Sequence, residues 1–298
     1  ATATKFWLEL RTFSNTTVYF DDFSFVRNPF IWTGAANSNY MDAANWSTNA
    51  VPNDNYDVII PSSAAINMPA TLTVNSMSIA AGASIISAGT ITGPISYTRS
   101  IPTDKWYLIS SPVVGQDKDA FVSASNLDTN GTNVGFADYD NSKGSWSYYQ
   151  STDSGTGNFG LGQGHAIKLK NDVGAVGDVV FTGTFNDANE STIGLNPGYN
   201  LIGNPYLASV SVGELLGVAT NNATSLSQKT IWLWDQSQGT QGTYVIKNQN
   251  SSFEIAPGQA FFVLAETTGT FGITESMLNH RSDTFQKTTT RPEVALTL

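Results

Sequence analysis

The chain has 298 residues, enough for two or three modules that each bury a core. It contains no cysteine, which excludes disulfides, thiolate nucleophiles and cysteine-based zinc or iron–sulfur sites. The net charge of −10, from 24 acidic against 14 basic residues, leaves no basic patch to displace counterions, so nucleic acid and anionic membrane are not expected partners, whereas cations and neutral polymers are compatible.

Twenty-six glycines and only 13% charged residues describe a turn-rich surface of short strands in an extracellular style. No apolar run approaches the roughly twenty residues of a spanning helix, so membrane insertion is not expected. The chain reads as part of a longer polypeptide at both ends, with neighbouring modules as its first partners.

In chain order, Phe6–Phe13 and Val18–Val26 are β-rich runs joined by Ser14–Thr17, which predicts a hairpin over 1–27. The run Val18–Phe25 resembles the closing strand of jelly-roll carbohydrate-binding modules. That resemblance implies a structural calcium near Asp21 and Asp22. Over 28–96 follow Trp32-Thr33-Gly34, Asn45-Trp46 and Asp57-Val58-Ile59-Ile60-Pro61, then very short strands at Leu72–Val74, Met77–Ile79, Ala83–Ile86 and Gly89–Ile91. This spacing is similar to an opening motif of repeat-rich bacterial surface proteins, and it suits either stacked solenoid-like rungs or a small sandwich.

The strongest signal is an internal repeat. Lys105–Pro112 matches Gly198–Pro205 at an offset of 93; Phe136–Asp140 followed by Gly144 matches Ile231–Asp235 followed by Gly239 at 95; Gly162–Ile167 matches Gly258–Val263 at 96. Order is kept while the offset drifts by three residues, which predicts two copies of one β-unit over 97–188 and 189–278. Each copy offers a buried strand ended by Pro, an aromatic strand running into an Asp-x-x-x-Gly turn, and a Gly-Gln before another apolar strand. The single expected helix lies near Val212–Leu216. Residues 279–298, rich in Thr, Ser and charge up to Pro292, read as a linker and the start of a following module. The fold class is therefore all-β: several small sandwich or solenoid-like modules, including two repeated units.

Gly198–Tyr206 together with Ile255–Val263 resembles the module that precedes the sorting domain in large proteins exported by the type IX secretion system, adhesins and polysaccharide-degrading enzymes among them. The resemblance spans about residues 95–298. It implies a secreted or outer-surface location and a non-catalytic role in adhesion, display or glycan binding. The alternative is an accessory fragment of a polysaccharide-degrading enzyme whose catalytic domain lies elsewhere.

Catalytic residues are not apparent. Only His165 and His280 could serve a triad or a histidine metal site, and no Gly-x-Ser-x-Gly accompanies them. His165 reads as a structural, partly exposed residue, and the glutamates stand in no cluster of the kind a glycosidase pair needs. Asp138 and Asp140 share one side of a strand and offer hard oxygen ligands for calcium, against turn-capping carboxylates as the plainer role. Trp146, Tyr148, Trp232 and Trp234 alternate along strands and are the candidate glycan-stacking rings, against packing in a sandwich core.

Overall fold

The computed structural model describes residues 28–87, 89–170, 176–217, 225–238 and 242–281. The all-β expectation holds: strands dominate, and no helix of the described residues is long and apolar enough to cross a membrane.

The first part is a solenoid. Strands β1 (Phe30–Ile31), β2 (Asp57–Ile60), β3 (Ala65–Asn67) and β4 (Thr71–Thr73) are followed by β5 (Ser76–Ile79), β6 (Ser84–Ile86) and β7 (Thr90–Thr92). β5, β6 and β7 stack in parallel on β2, β3 and β4, with Asp57 beside Ser76, Ala65 beside Ser84 and Thr71 beside Thr90, a step of 19 residues each time. Of the two arrangements the spacing allows, the rungs prevail. The inward positions Val58, Ile60, Ile66, Met77, Ile79 and Ile85 form apolar ladders that stacking alone can bury. The Asn-Trp motif closes this stack. Asn45 is fully buried, accepts from the Ala36 and Asn37 amides and donates to the Asn39 carbonyl. Trp46 packs edge-on against Trp32 and Tyr40.

Strand β8 (Ile95–Pro102) continues the solenoid beside β5 and pairs along its length with β14 (Val176–Gly183) in the antiparallel sense. It runs across position 96, so the rungs and the residues after them share one sheet and one core, from Val58 to Phe181.

Two larger antiparallel sheets follow. The first is built from β9 (Trp106–Ser110), β10 (Thr129–Asn130), β11 (Asn133–Asp140), β12 (Ser145–Gln150) and β13 (Gly164–Lys168). β11 is flanked by β12 and β13, and β13 pairs with β9, giving the order β12-β11-β13-β9 with β10 at the start of β11. After β15 (Glu190–Leu195), the second sheet is formed by β16 (Gly198–Gly203), β18 (Thr230–Asp235), β19 (Thr243–Asn248) and β21 (Ala260–Ala265) in the order β19-β18-β21-β16. β15 pairs with β22 (Gly269–Thr274) as β8 pairs with β14. A short helix follows the first strand of each sheet: α1 (Lys118–Ala124) and, after β17 (Ser209–Ser211), α2 (Val212–Leu215). α2 lies where the helix is expected. α1 is not anticipated, because seven residues are too few to display a helical period, although its Asp117 cap accepts from the Ala120 amide.

The sheets pack face to face through Leu108, Ala137 and Ala166 on one side and Leu201, Ala260 and Phe262 on the other. Close approach needs glycine: a Cβ on Gly203 would lie 2.4 Å from the Ser110 Cβ, and one on Gly164 would lie 2.5 Å from the Leu201 Cγ. The contact is reciprocal. The Ser110 amide donates to the Gly258 carbonyl and the Gly203 amide to the Gly162 carbonyl, while Ile109 bridges to Gln259 and Gln163 to Ile202. Each Gly-Gln segment thus docks on the first strand of the opposite sheet.

β23 (Leu278–Asn279) pairs with β17, whose other side takes β20 (Glu254–Ile255). Asn279 and Arg281 bind Glu254, and His280 contacts Ser84 and Asn67 of the solenoid. The expected linker therefore does not begin at 279; positions 279–281 are tied to the body. The hairpin expected over 1–27 and positions 282–298 lie outside the described residues.

Candidate functional site

At the open end of the sheet pair the facing strands carry aromatic rings instead of aliphatic side chains. The β11–β12 hairpin places Tyr139 opposite Trp146 and Ala137 opposite Tyr148, and in the second sheet the β18–β19 hairpin places Trp234 opposite Tyr244. Alternation along each strand sends these positions toward the opposing sheet, while Phe136 and Leu233, next to them in sequence, enter the outer cores. Trp146, Tyr148, Trp232 and Trp234, the glycan-stacking candidates of the sequence, all lie in this one place. Trp146, Trp232 and Trp234 are half-buried, and Tyr148 is exposed. They serve neither as a closed core nor as a free surface; they line a cleft.

The cleft has two aromatic cavities. One, of about 150 Å³, lies among Trp106, Trp146, Tyr148, Trp234 and Tyr244, over a floor that includes Ala137 and Ala166. The other, of about 290 Å³, is lined by Tyr139, Trp146, Tyr199, Trp232, Tyr244 and Phe262. Rings meet mostly edge to face: Tyr139 and Trp146 at 5.3 Å, Tyr199 and Trp232 at 5.5 Å, Trp234 and Tyr244 at 4.9 Å. The Trp234 indole N–H donates to the Trp106 carbonyl at 3.1 Å and ties the two sheets at the mouth. Burial raises the Tyr139 hydroxyl and takes that of Tyr244 to about 12, so both stay neutral at physiological pH. The walls therefore present ring faces without charge. Trp106, Tyr139, Tyr199 and Tyr244 are site residues that the sequence reading does not single out. The usable signal is the hairpin register, which sets Tyr139 across from Trp146.

His165 departs from its partly exposed expectation and is fully buried, stacked on Phe136 at 5.0 Å and edge-on to Phe159 at 4.5 Å. Burial is tolerated because Nδ1 lies 2.5 Å from Asp138, whose other oxygen takes the Lys118 ammonium at 2.9 Å. Desolvation pushes His165 below its usual pKa, so at neutral pH it is the uncharged donor to Asp138. Burial opposes ionisation of Asp138, yet the hydrogen bonds and charges of His165 and Lys118 prevail and hold its carboxyl well below the ordinary range. The His165 Nε2 has no partner among the described residues. A general base must reach a substrate proton, and a ring walled in by phenylalanines does not.

Of the calcium candidates, Asp138 is committed to His165 and Lys118, while Asp140 caps its turn through Ser142 and pairs with Lys143 at 2.8 Å. Both aspartates therefore have the cationic or turn partners of the plainer reading. Among the described residues no three His, Asp or Glu side chains gather in a way that could hold a metal ion. Asp21 and Asp22 lie outside the described residues. No family model matches the chain, and neither does any curated protein or solved structure.

Proposed function

We propose that this chain is a non-catalytic extracellular module of a larger secreted or cell-surface bacterial protein, and that it binds glycan in the aromatic cleft between its two antiparallel sheets. The convergence of Trp146, Tyr148, Trp232 and Trp234 with five further aromatic residues, in a cleft open to solvent and with aromatic walls that carry no charge, carries the reading. Sugars present apolar ring faces that stack on aromatic side chains, and concave aromatic sites with few polar groups are the usual ligand-binding architecture. The same strand order in both sheets and the reciprocal bonds at their contact support reading 97–188 and 189–278 as two copies of one unit. A cleft formed between copies requires both of them.

A polysaccharide affinity-gel panel tests the binding. Wild-type protein is expected to be retarded by at least one neutral polysaccharide, and the retardation to change little as ionic strength rises from roughly 0.05 to 0.5 M, because stacking is not screened. Tyr148→Ala, at an exposed position, is expected to weaken retention severalfold with unchanged unfolding. Absence of retardation across the panel, or retardation abolished by salt, would sink the reading.

A further inference from the structure

We infer that the cleft takes a neutral linear oligosaccharide of three or more sugar units with its two ends read differently: one by hydroxyl contacts at a polar subsite, the other by ring stacking alone. This rests on the glycan-binding reading above and specifies its ligand.

A third cavity, of about 290 Å³, adjoins the first aromatic one, and Trp106 and Tyr148 line both. Its remaining wall includes Asp128, Asn130, Asn133 and Lys168. Trp146 and Tyr244 in turn line both aromatic cavities. The three cavities therefore lie in a row, each sharing wall residues with the next: polar, aromatic with an alanine floor, then aromatic with Trp232 and Phe262.

The polar end decides the ligand chemistry. Asp128 and Lys168 pair at 3.0 Å, with Asp104 3.8 Å from the same ammonium, and the hydrogen bond from Lys168 keeps Asp128 ionised, so the wall sets a carboxylate and an ammonium side by side. Its carboxylate only accepts hydrogen bonds and its ammonium only donates. The Asn130 side chain makes no hydrogen bond among the described residues, and Asn133 uses its oxygen on Gln150 while its amide N–H groups stay available. A ligand satisfying this set must donate and accept at neighbouring points, as vicinal hydroxyls do. A proline-rich peptide, the other common guest of aromatic grooves, has no N–H at proline to offer Asp128. At the far end no charged side chain among the described residues lines the wall, so that subsite recognises ring faces only. One sugar per cavity gives a minimum of three.

The test uses the intact chain, isothermal titration, and cello-, xylo- and manno-oligosaccharides of one to six units, with a proline-rich decapeptide as competitor class. In the series that binds, affinity is expected to rise steeply from one to three units and then level off. Asn130→Ala at one end and Tyr199→Ala at the other, both exposed positions, are each expected to weaken the trisaccharide about tenfold. Neither should alter a monosaccharide bound in the middle cavity. A monosaccharide bound as tightly as the trisaccharide overturns the three-subsite inference while the glycan reading stands. Binding of the peptide with no saccharide bound overturns both.

Discussion

Trp146→Ala is expected to abolish retention on whichever polysaccharide the wild type binds, a loss of about 2 kcal/mol or more of binding free energy. Trp146 lines both aromatic cavities, so its removal takes a stacking face from each at once. It sits on β12, which among the described residues pairs only with β11, and it is half-buried, so the fold does not depend on it as it does on the fully buried Phe136 or Phe261. Trp234→Ala is a poorer probe. The Trp234 indole holds the Trp106 carbonyl and lies against Gly242, where a Cβ would come within 2.6 Å of the ring, so its loss should loosen the sheet contact along with any binding. Affinity electrophoresis paired with thermal unfolding separates the two variants: Trp146→Ala loses binding at a near-native midpoint, Trp234→Ala loses both. Retention of wild-type strength in folded Trp146→Ala would place the ligand outside the cleft.

The strands are well legible in the sequence and their assembly poorly, for a physical reason. The period-two pattern of Thr230–Asp235 shows that Trp232 and Trp234 share a face, an inference that needs only one strand. What covers that face depends on where the second sheet docks, which is decided by glycines at positions 164 and 203 and by the Gly-Gln segments. Those residues read as turn chemistry until the two units are placed together. The rungs show the same limit. Strands of three or four residues fit a sandwich as well as a solenoid, and only the 19-residue parallel register distinguishes them. The burial of His165 is likewise hidden, because a histidine between Gly164 and Ala166 gives no local sign of Lys118, which reaches the same carboxylate from a helix the sequence does not disclose.

The cluster of Lys118, Asp138 and His165 is expected to make the first sheet acid-labile, in contrast with the second. In the proposed repeat the corresponding places are held by Val212, which follows the α2 cap as Lys118 follows the α1 cap, and by Leu233 and Phe261, one step along their strands from the Trp232–Phe262 pair. All three are fully buried. The sign of the pH effect follows from the directions of the shifts. His165 is depressed by burial, so the unfolded chain protonates first, near its ordinary value of about 6.5, and stability falls as pH drops below that point by up to about 1.4 kcal/mol per pH unit. Asp138 is also depressed, so its contribution is present above the ordinary carboxylate range and is lost at still lower pH. Asp138→Leu alone leaves the Lys118 ammonium and the fully buried His165 N–H without their acceptor and should cost about 1–3 kcal/mol at pH 7. The combined variant Lys118→Val, Asp138→Leu, His165→Phe copies the second unit, and replacing a whole polar cluster by apolar groups of fitting shape is neutral or stabilising. It should recover the loss and flatten the stability profile between pH 7 and 5, leaving the slope of His280, whose pKa burial also lowers. Urea unfolding of the wild type, the single and the triple variant at both pH values decides it. A triple variant as unstable as the single one, or as acid-sensitive as the wild type, would show that the two units are not interchangeable at these positions.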